Sequence, residues 1–345
     1  MEDNILNKNI STYTNDRVTT IGQAAFNHCF SLTTVSFPKC SYIAIDAFNG
    51  CTKLTSISFP ECTNIDEDAF AGCTSLSSIT FLKCANLAKG AFSGCTNLTS
   101  VSFPVCTYID DYAFLKCAKL TSIDIPECTS INAAFWGCSN LISVSIPKCT
   151  NLNGTFERCS KLTDVNLPEC DYLNTTFYEC SNLMSISAPK CTYIDRWTFY
   201  RCTKLTNINF PECSRVNDAF ENCINLTAIS FPKCRYIGYN TFNSCSNLTS
   251  VSFPSCIYID RDAFYSCYTL SQIYLMNSSI CTLSDSNAFY STPFTGYSSY
   301  FSGTPYIYVP TSLVDAYKSA TNWAYFSSYI SGYSELPLEP ETISI

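Results

Sequence analysis

The sequence predicts a solenoid, a right-handed superhelix of short stacked coils. A long parallel sheet is expected on one side, turns and short 3₁₀ pieces on the other, and a short capping helix at the C-terminal end. Two observations predict this. The pattern A-F-x-x-C-x-x-L-x-x-I-x-F-P-x-C-x-x-I plus three residues recurs about every 22 residues, and its first Phe returns twelve times from Phe26 to Phe264. Inside each copy the residues alternate: Val35 and Phe37 are apolar, Thr34 and Ser36 polar, the period of a strand with one buried face.

A 22-residue unit is too short for a pair of helices and fits one coil of a leucine-rich array. Leu32, Val35, Phe37 and Cys40 read L-x-x-V-x-F-x-x-C, which matches the leucine-rich signature. Pro38 ends the strand because it has no N–H to donate to a ladder. Stretches such as "IDEDAF" are too short for a regular helix. Four copies, "INAAF", "LNGTF", "LNTTF" and "VNDAF", are one residue shorter at the same place. One coil alone cannot bury enough apolar surface to offset the entropy of fixing its backbone, so the coils must stack.

Cysteine recurs at half the coil, about every eleven residues. One column follows A-F-x-x (Cys29, Cys51, Cys73, to Cys267) and the other follows the proline (Cys40, Cys62, Cys84, to Cys256). Cys281 arrives fourteen residues after Cys267 and marks a break in the array. Zinc is not expected: there is no C-x-x-C pair, and His28 is the sole histidine. Like cysteines on adjacent coils lie close enough at Cα for a disulfide, but their side chains project in parallel rather than converging. The columns are therefore expected to be free, buried thiols that fill tight corners. In the post-proline column the thiol is expected to accept a backbone N–H.

Composition excludes several classes. The 345 residues are 46% apolar and 14% charged with a net charge of −8. Such a chain can bury a core. Its acidity argues against nucleic acid as partner, because that surface needs clustered Lys and Arg. No apolar run approaches a membrane span. The segment "MEDNILNKNISTY" lacks a basic region followed by an apolar stretch and is not read as a signal peptide. Nucleophile–His–acid sets, phosphate-binding glycine loops and metal clusters are not found, so no cofactor and no catalysis are expected. Asp124 and Asp164, on outward strand positions, are read as solvated charges rather than a hydrolytic pair.

An open stack exposes an apolar face at each end and needs caps. Residues 1–24 are expected to form a partial first coil using Ile10, Val18 and Ile21. Residues 25–284 hold the twelve coils, and residues 285–345 the C-terminal cap. There "PTSLVDAYKSATNWAYF" predicts a helix at about 312–320, N-capped by Thr311 or Ser312, with Trp323 reinforcing the seal. The tail after it, "SGYSELPLEPETISI", is expected to be loosely held or to pair along an edge.

The run "AF..C..L..I.FP" with an "IGxxAF"-like turn resembles the BspA-like leucine-rich repeats, across about residues 18–330. "IYVPTSLVDAYKSATNWAYFSSYI" resembles the segment that closes such arrays. The repeated P-x-C departs from the usual family coil. The resemblance implies a surface, secreted or virion setting and a non-enzymatic scaffold for a protein or glycan ligand, adhesin-like. A self-associating structural protein is the alternative.

Two rows stand out on the surface. The residue between Pro and Cys runs Lys39, Glu61, Lys83, Val105, Glu127, Lys148, Glu169, Lys190, Glu212, Lys233, Ser255, and its alternating signs are read as coil register. The residue before the closing Ile or Leu is Tyr42, Tyr108, Tyr172, Tyr193, Tyr236 and Tyr258, replaced elsewhere by Asn, Ser or Arg. A position that tolerates polar residues faces outward, and tyrosine there suits an interface. Arg196, Trp197 and Tyr200 beside Tyr193 form the densest aromatic–arginine cluster. These nine residues are the candidate binding site.

Overall fold

The computed structural model describes residues 10–296 and 303–333. The chain divides into two compact units, Met1–Cys191 with Asp195–Asn209, and Thr192–Ile194 with Phe210–Ile345. Both are solenoids of parallel strands. Each regular coil contributes a strand at the predicted V-x-F stretch, such as Ser56–Ser58, and a second, shorter one, such as Asn64–Ile65.

The second ladder was not expected from the repeat. In the first unit it runs unbroken from Thr20–Ile21 to Tyr172–Asn174, each strand pairing in parallel with the next coil. The V-x-F ladder, expected to be the long sheet, is the one that is segmented. Ring spacing does not account for the breaks: Phe59 and Phe81, across the first, stand 6.2 Å apart, but Phe231 and Phe253, beside strands that do pair, stand 6.3 Å apart. The expected 3₁₀ pieces lie in the C-terminal segment, and the described coils turn without them.

The core is built of columns. Phe26, Phe48, Phe70 and Phe92 stack face to face at 4.9, 5.0 and 5.1 Å. In the second unit Phe220, Phe242, Phe264 and Phe289 continue the same motif at 5.4 Å spacing. Leu54, Cys62, Phe70 and Cys73 are fully buried. In three of the four coils that lose a residue the second strand lengthens to three residues, at Ser130–Asn132, Asn151–Asn153 and Tyr172–Asn174; in the fourth, Arg215–Val216 keeps two.

All twenty-four cysteines are free and buried. They do more than fill space. In the A-F-x-x-C column the thiol donates to the Phe carbonyl of the preceding coil: Cys51 Sγ to Phe26 O at 3.0 Å, Cys95 Sγ to Phe70 O at 3.3 Å. The post-proline thiol donates to the carbonyl two residues on, Cys40 Sγ to Tyr42 O at 3.2 Å, and backbone hydrogen bonds at Tyr42 and Ile21 lower its pKa against burial, as the expected N–H to sulfur would. The carbonyl has a spare lone pair at the turn, and the thiol is a weak donor that fits there.

At the N-terminal end Ile21 is buried, and Tyr13 lies 5.5 Å from both Phe26 and Phe37. Tyr13 is half-exposed, as are Ile10 and Val18. At the other end a 3₁₀ turn, Thr311–Leu313, leads into the helix Val314–Ser319. The helix lies where predicted, but its N-cap is Leu313 and no side chain caps it. The 3₁₀ turn takes up Thr311 and Ser312 instead. Trp323 is fully buried and donates Nε1–H to Cys281 O at 2.6 Å, while the Tyr317 hydroxyl accepts the Cys281 N–H at 2.8 Å. Ile330–Tyr333 pairs with Tyr306–Pro310; the rest of the tail lies outside the described residues. None of the described helices is long and apolar enough to cross a membrane.

Candidate binding surface

The predicted tyrosine row faces outward, half-exposed or more, and the structure divides it. In the first unit each hydroxyl is already engaged: Tyr42 donates to Asp66 at 2.7 Å, Tyr108 to Asp110 at 3.1 Å and Tyr172 to Asp195 at 3.2 Å. Asn64 and Asn86 separate Tyr42 from Tyr108 along the ladder, so these two rings do not meet. The hydrogen bond to Asp66 holds the Tyr42 phenol above its ordinary pKa.

In the second unit the row closes up. Arg215, which the repeat places between two tyrosines, lies over Tyr193 at 5.3 Å and over Tyr236 at 4.5 Å. Tyr236 stacks on Tyr258 at 5.1 Å and 3°, and its hydroxyl donates to Asp260 at 3.0 Å. Desolvation, then the Asp260 carboxylate, pushes the Tyr236 phenol up to about 12. The guanidinium–ring contacts hold four coils in one rigid column.

Arg196, Trp197 and Tyr200 belong to the first unit and to a different face, the turn that carries A-F-x-x-C. The residue before each Cys here has a left-handed backbone: Gly50 at φ 71°, Gly72 at 68°, Gly94 at 71°. Glycine suits that geometry. Charged residues take it in four coils, Lys116 at φ 55°, Arg158 at 61°, Glu179 at 57° and Arg201 at 56°, with Gly137 at 73° returning between the first two. Each such residue costs roughly 1–2 kcal/mol against glycine.

These residues build a strip along the coils. The Trp136 ring lies between Lys116 at 5.5 Å and Arg158 at 5.7 Å. Glu179 bridges Arg158 at 3.0 Å and Arg201 at 3.5 Å. Arg201 covers the Tyr200 ring at 5.1 Å, Tyr200 stacks on Tyr178 at 4.9 Å, and Trp197 meets Tyr178 edge-on at 6.4 Å. Trp197 is 47% exposed and is itself left-handed at φ 52°; the coils before and after it hold Thr175 and Asp218 there. Arg196 is exposed beside it. Sequence reasoning missed Lys116, Trp136, Arg158, Tyr178 and Glu179. The signal was the loss of glycine before cysteine, which a search for catalytic or aromatic patterns passes over.

The strip presents charged and aromatic side chains side by side on the surface. No group of three His, Cys, Asp or Glu able to hold a metal occurs among the described residues. Asp164 accepts a hydrogen bond from Ser185 on the next strand.

The family model for BspA-type leucine-rich repeat regions matches residues 19–142, 63–175 and 171–295. The chain belongs to the BspA-type leucine-rich repeat family. Two solved structures agree with it in fold over most of the chain. A leucine-rich repeat protein from Bacteroides ovatus is 22% identical over 94% of this chain and 92% of its own, with a TM-score of 0.64. The pneumococcal vaccine antigen PcpA is 15% identical over 96% of this chain and 90% of its own, with a TM-score of 0.55. The Treponema pallidum leucine-rich repeat protein is 30% identical over 44% of this chain and 78% of its own, with a TM-score of 0.40. No curated protein matches the sequence. BspA-type arrays are leucine-rich repeat scaffolds, so the repeat accounts for the fold.

Proposed function

We propose that this chain is a non-enzymatic binding scaffold, capped by residues 1–24 and 285–345, that holds a protein ligand on the turn face of its first unit. One observation carries the reading: in the coils of Lys116, Arg158, Glu179 and Arg201 the chain gives up glycine in a left-handed position and sets charged and aromatic side chains in one contiguous strip. Core packing does not call for those residues, since Gly50, Gly72 and Gly94 serve the same backbone. Trp, Tyr and Arg are the side chains that dominate protein interfaces. Tyr193, Arg215, Tyr236 and Tyr258 offer a second aromatic face in the other unit.

The test is capture of cell-surface proteins by the parent and by Trp197→Ala, Tyr200→Ala and Tyr193→Ala. Trp197→Ala and Tyr200→Ala are expected to weaken capture at least tenfold, about 1.4 kcal/mol, with the melting curve kept. Variants that melt lower and still capture the same proteins would make the strip a structural brace. An effect confined to Tyr193→Ala would move the site to the tyrosine column.

A further inference from the structure

The second unit carries a further cleft, and we propose that it binds a carboxylate-bearing saccharide with Arg235 as the anchor. This stands apart from the strip and does not rest on it. The cleft has a volume of about 510 Å³ and is lined by Lys233, Arg235 and Ser255 on one side and by Met276, Asn277 and Ser278 on the other.

Three departures from the repeat meet there. The residue after the post-proline cysteine is Ser, Thr or Ala in the coils other than those of Asp171, Arg235 and Ile257, and a hydroxyl there donates to the preceding coil, as Thr63 Oγ1 does to Ser41 O at 3.1 Å and Ser214 Oγ to Thr192 O at 3.1 Å. At that position Arg235 cannot make this bond, and its guanidinium stands exposed with no ion pair among the described residues. The residue before the cysteine is Lys or Glu in most coils; here it is Ser255, whose hydroxyl turns back to donate to Pro232 O at 2.7 Å and leaves room above it. Finally, the extra residues between Cys267 and Cys281 form the far wall. Asn277 fastens that wall by donating to Ser255 O at 3.4 Å and Cys256 O at 3.3 Å.

The lining chooses the ligand. No carboxylate lines the cleft. Lys233 is held by Glu212 at 2.6 Å, which leaves Arg235 as the unspent charge, a planar fork suited to a carboxylate. Ser278 supplies a hydroxyl and Ser255 Oγ, whose proton goes to Pro232 O, an acceptor for sugar hydroxyls, and Pro254 and Met276 the apolar surface for a ring face. An extended peptide is disfavoured. The strands leading into the cleft, Ser250–Ser252 and Gln272–Tyr274, are paired on both sides, so neither offers an edge for strand addition.

The test is calorimetric titration of the full chain with galacturonic acid trimer, its methyl ester, sialyllactose and a Glu-rich peptide. The parent is expected to bind one of the two acidic saccharides, more weakly at high salt, and to bind the ester at least tenfold more weakly than the free trimer if the trimer is the ligand. Arg235→Gln is expected to lose at least tenfold in affinity with its melting curve unchanged, and Arg235→Lys to fall between. No binding of either acidic saccharide, full affinity in Arg235→Gln, or tighter binding of the peptide than of the saccharides would each overturn the proposal. None of these outcomes bears on Trp197 or Tyr200.

Discussion

The thiol columns make this protein sensitive to alkali in a way that can be worked out beforehand. Nineteen of the cysteines are held above their ordinary pKa of 9.0. Burial is the main cause, and neighbouring thiols add to it, as Cys95 and Cys51 do for Cys73. Cys95 and Cys138 are pushed up to about 12. A thiol whose pKa is raised in the fold contributes no penalty while both states are protonated. As pH approaches and passes 9 the unfolded chain releases protons that the folded chain retains, and stability falls until the folded values are reached. For nineteen independent thiols the loss is about 1 kcal/mol at pH 8, about 3 kcal/mol at pH 8.5 and about 8 kcal/mol at pH 9. Net stabilities of folded domains are roughly 5–15 kcal/mol.

The expected outcome is therefore a steep, cooperative unfolding transition between about pH 8.5 and 9.5. It should be followed by circular dichroism at equilibrium, with reductant present so that disulfides do not form. Tyrosines contribute little there because they ionise nearer pH 10. Replacing a block of cysteines with alanine should lower stability at pH 7 yet flatten the alkaline slope. A fold that survives unchanged to pH 11, or a slope unaffected by removing cysteines, would refute the account of the columns as buried neutral thiols.

Two further outcomes follow from the same geometry. Lys148→Glu replaces a pair at 2.6 Å to Glu127 with repulsion from both flanking glutamates; these groups are about half exposed, so the cost should be about 1 kcal/mol at low salt and smaller in molar salt. Trp323→Ala removes a fully buried ring that packs at 6.0 Å on Phe289 and 5.5 Å on Tyr317; it should cost about 3–5 kcal/mol and begin unfolding from the C-terminal unit, seen as early hydrogen exchange at Cys281.

The coil spacing, the Phe column and the inward cysteines were legible because each repeats at a fixed interval and each side chain points the way its strand demands. The helix at Val314–Ser319 was legible for the same reason. Other features depend on which atom of the next coil a side chain meets. The cysteine interval predicted burial, but the thiol's acceptor is a carbonyl on another coil for Cys51 and on its own turn for Cys40. The alternating Lys–Glu row predicted a continuous ladder, yet ion pairs form only from each Lys back to the preceding Glu, at Lys83–Glu61, Lys148–Glu127, Lys190–Glu169 and Lys233–Glu212. Each of these ammonium groups gives two of its three N–H donors to the one carboxylate, as Lys148 does to Glu127. The site residues were only half legible. Tyr193 and Trp197 are four residues apart in sequence but lie on different faces of the coil, one in a strand and one in a turn.

A repeat array lets each coil serve as a control for the others. The residues at Phe70, Cys73 and Cys84 are dictated by the coils on either side, and changing one leaves a void or an unmet carbonyl in its neighbour. The position before the first cysteine is different: Gly50, Gly72 and Gly94 show that its backbone needs no side chain. When Lys116, Arg158, Glu179 and Arg201 occupy that geometry at a cost, the packing of the coil does not explain them. The same holds for Arg235, which displaces a hydroxyl that would have bonded the preceding coil. In such an array a side chain that makes its own coil less stable, and does so next to others of its kind, is the one to test for a ligand.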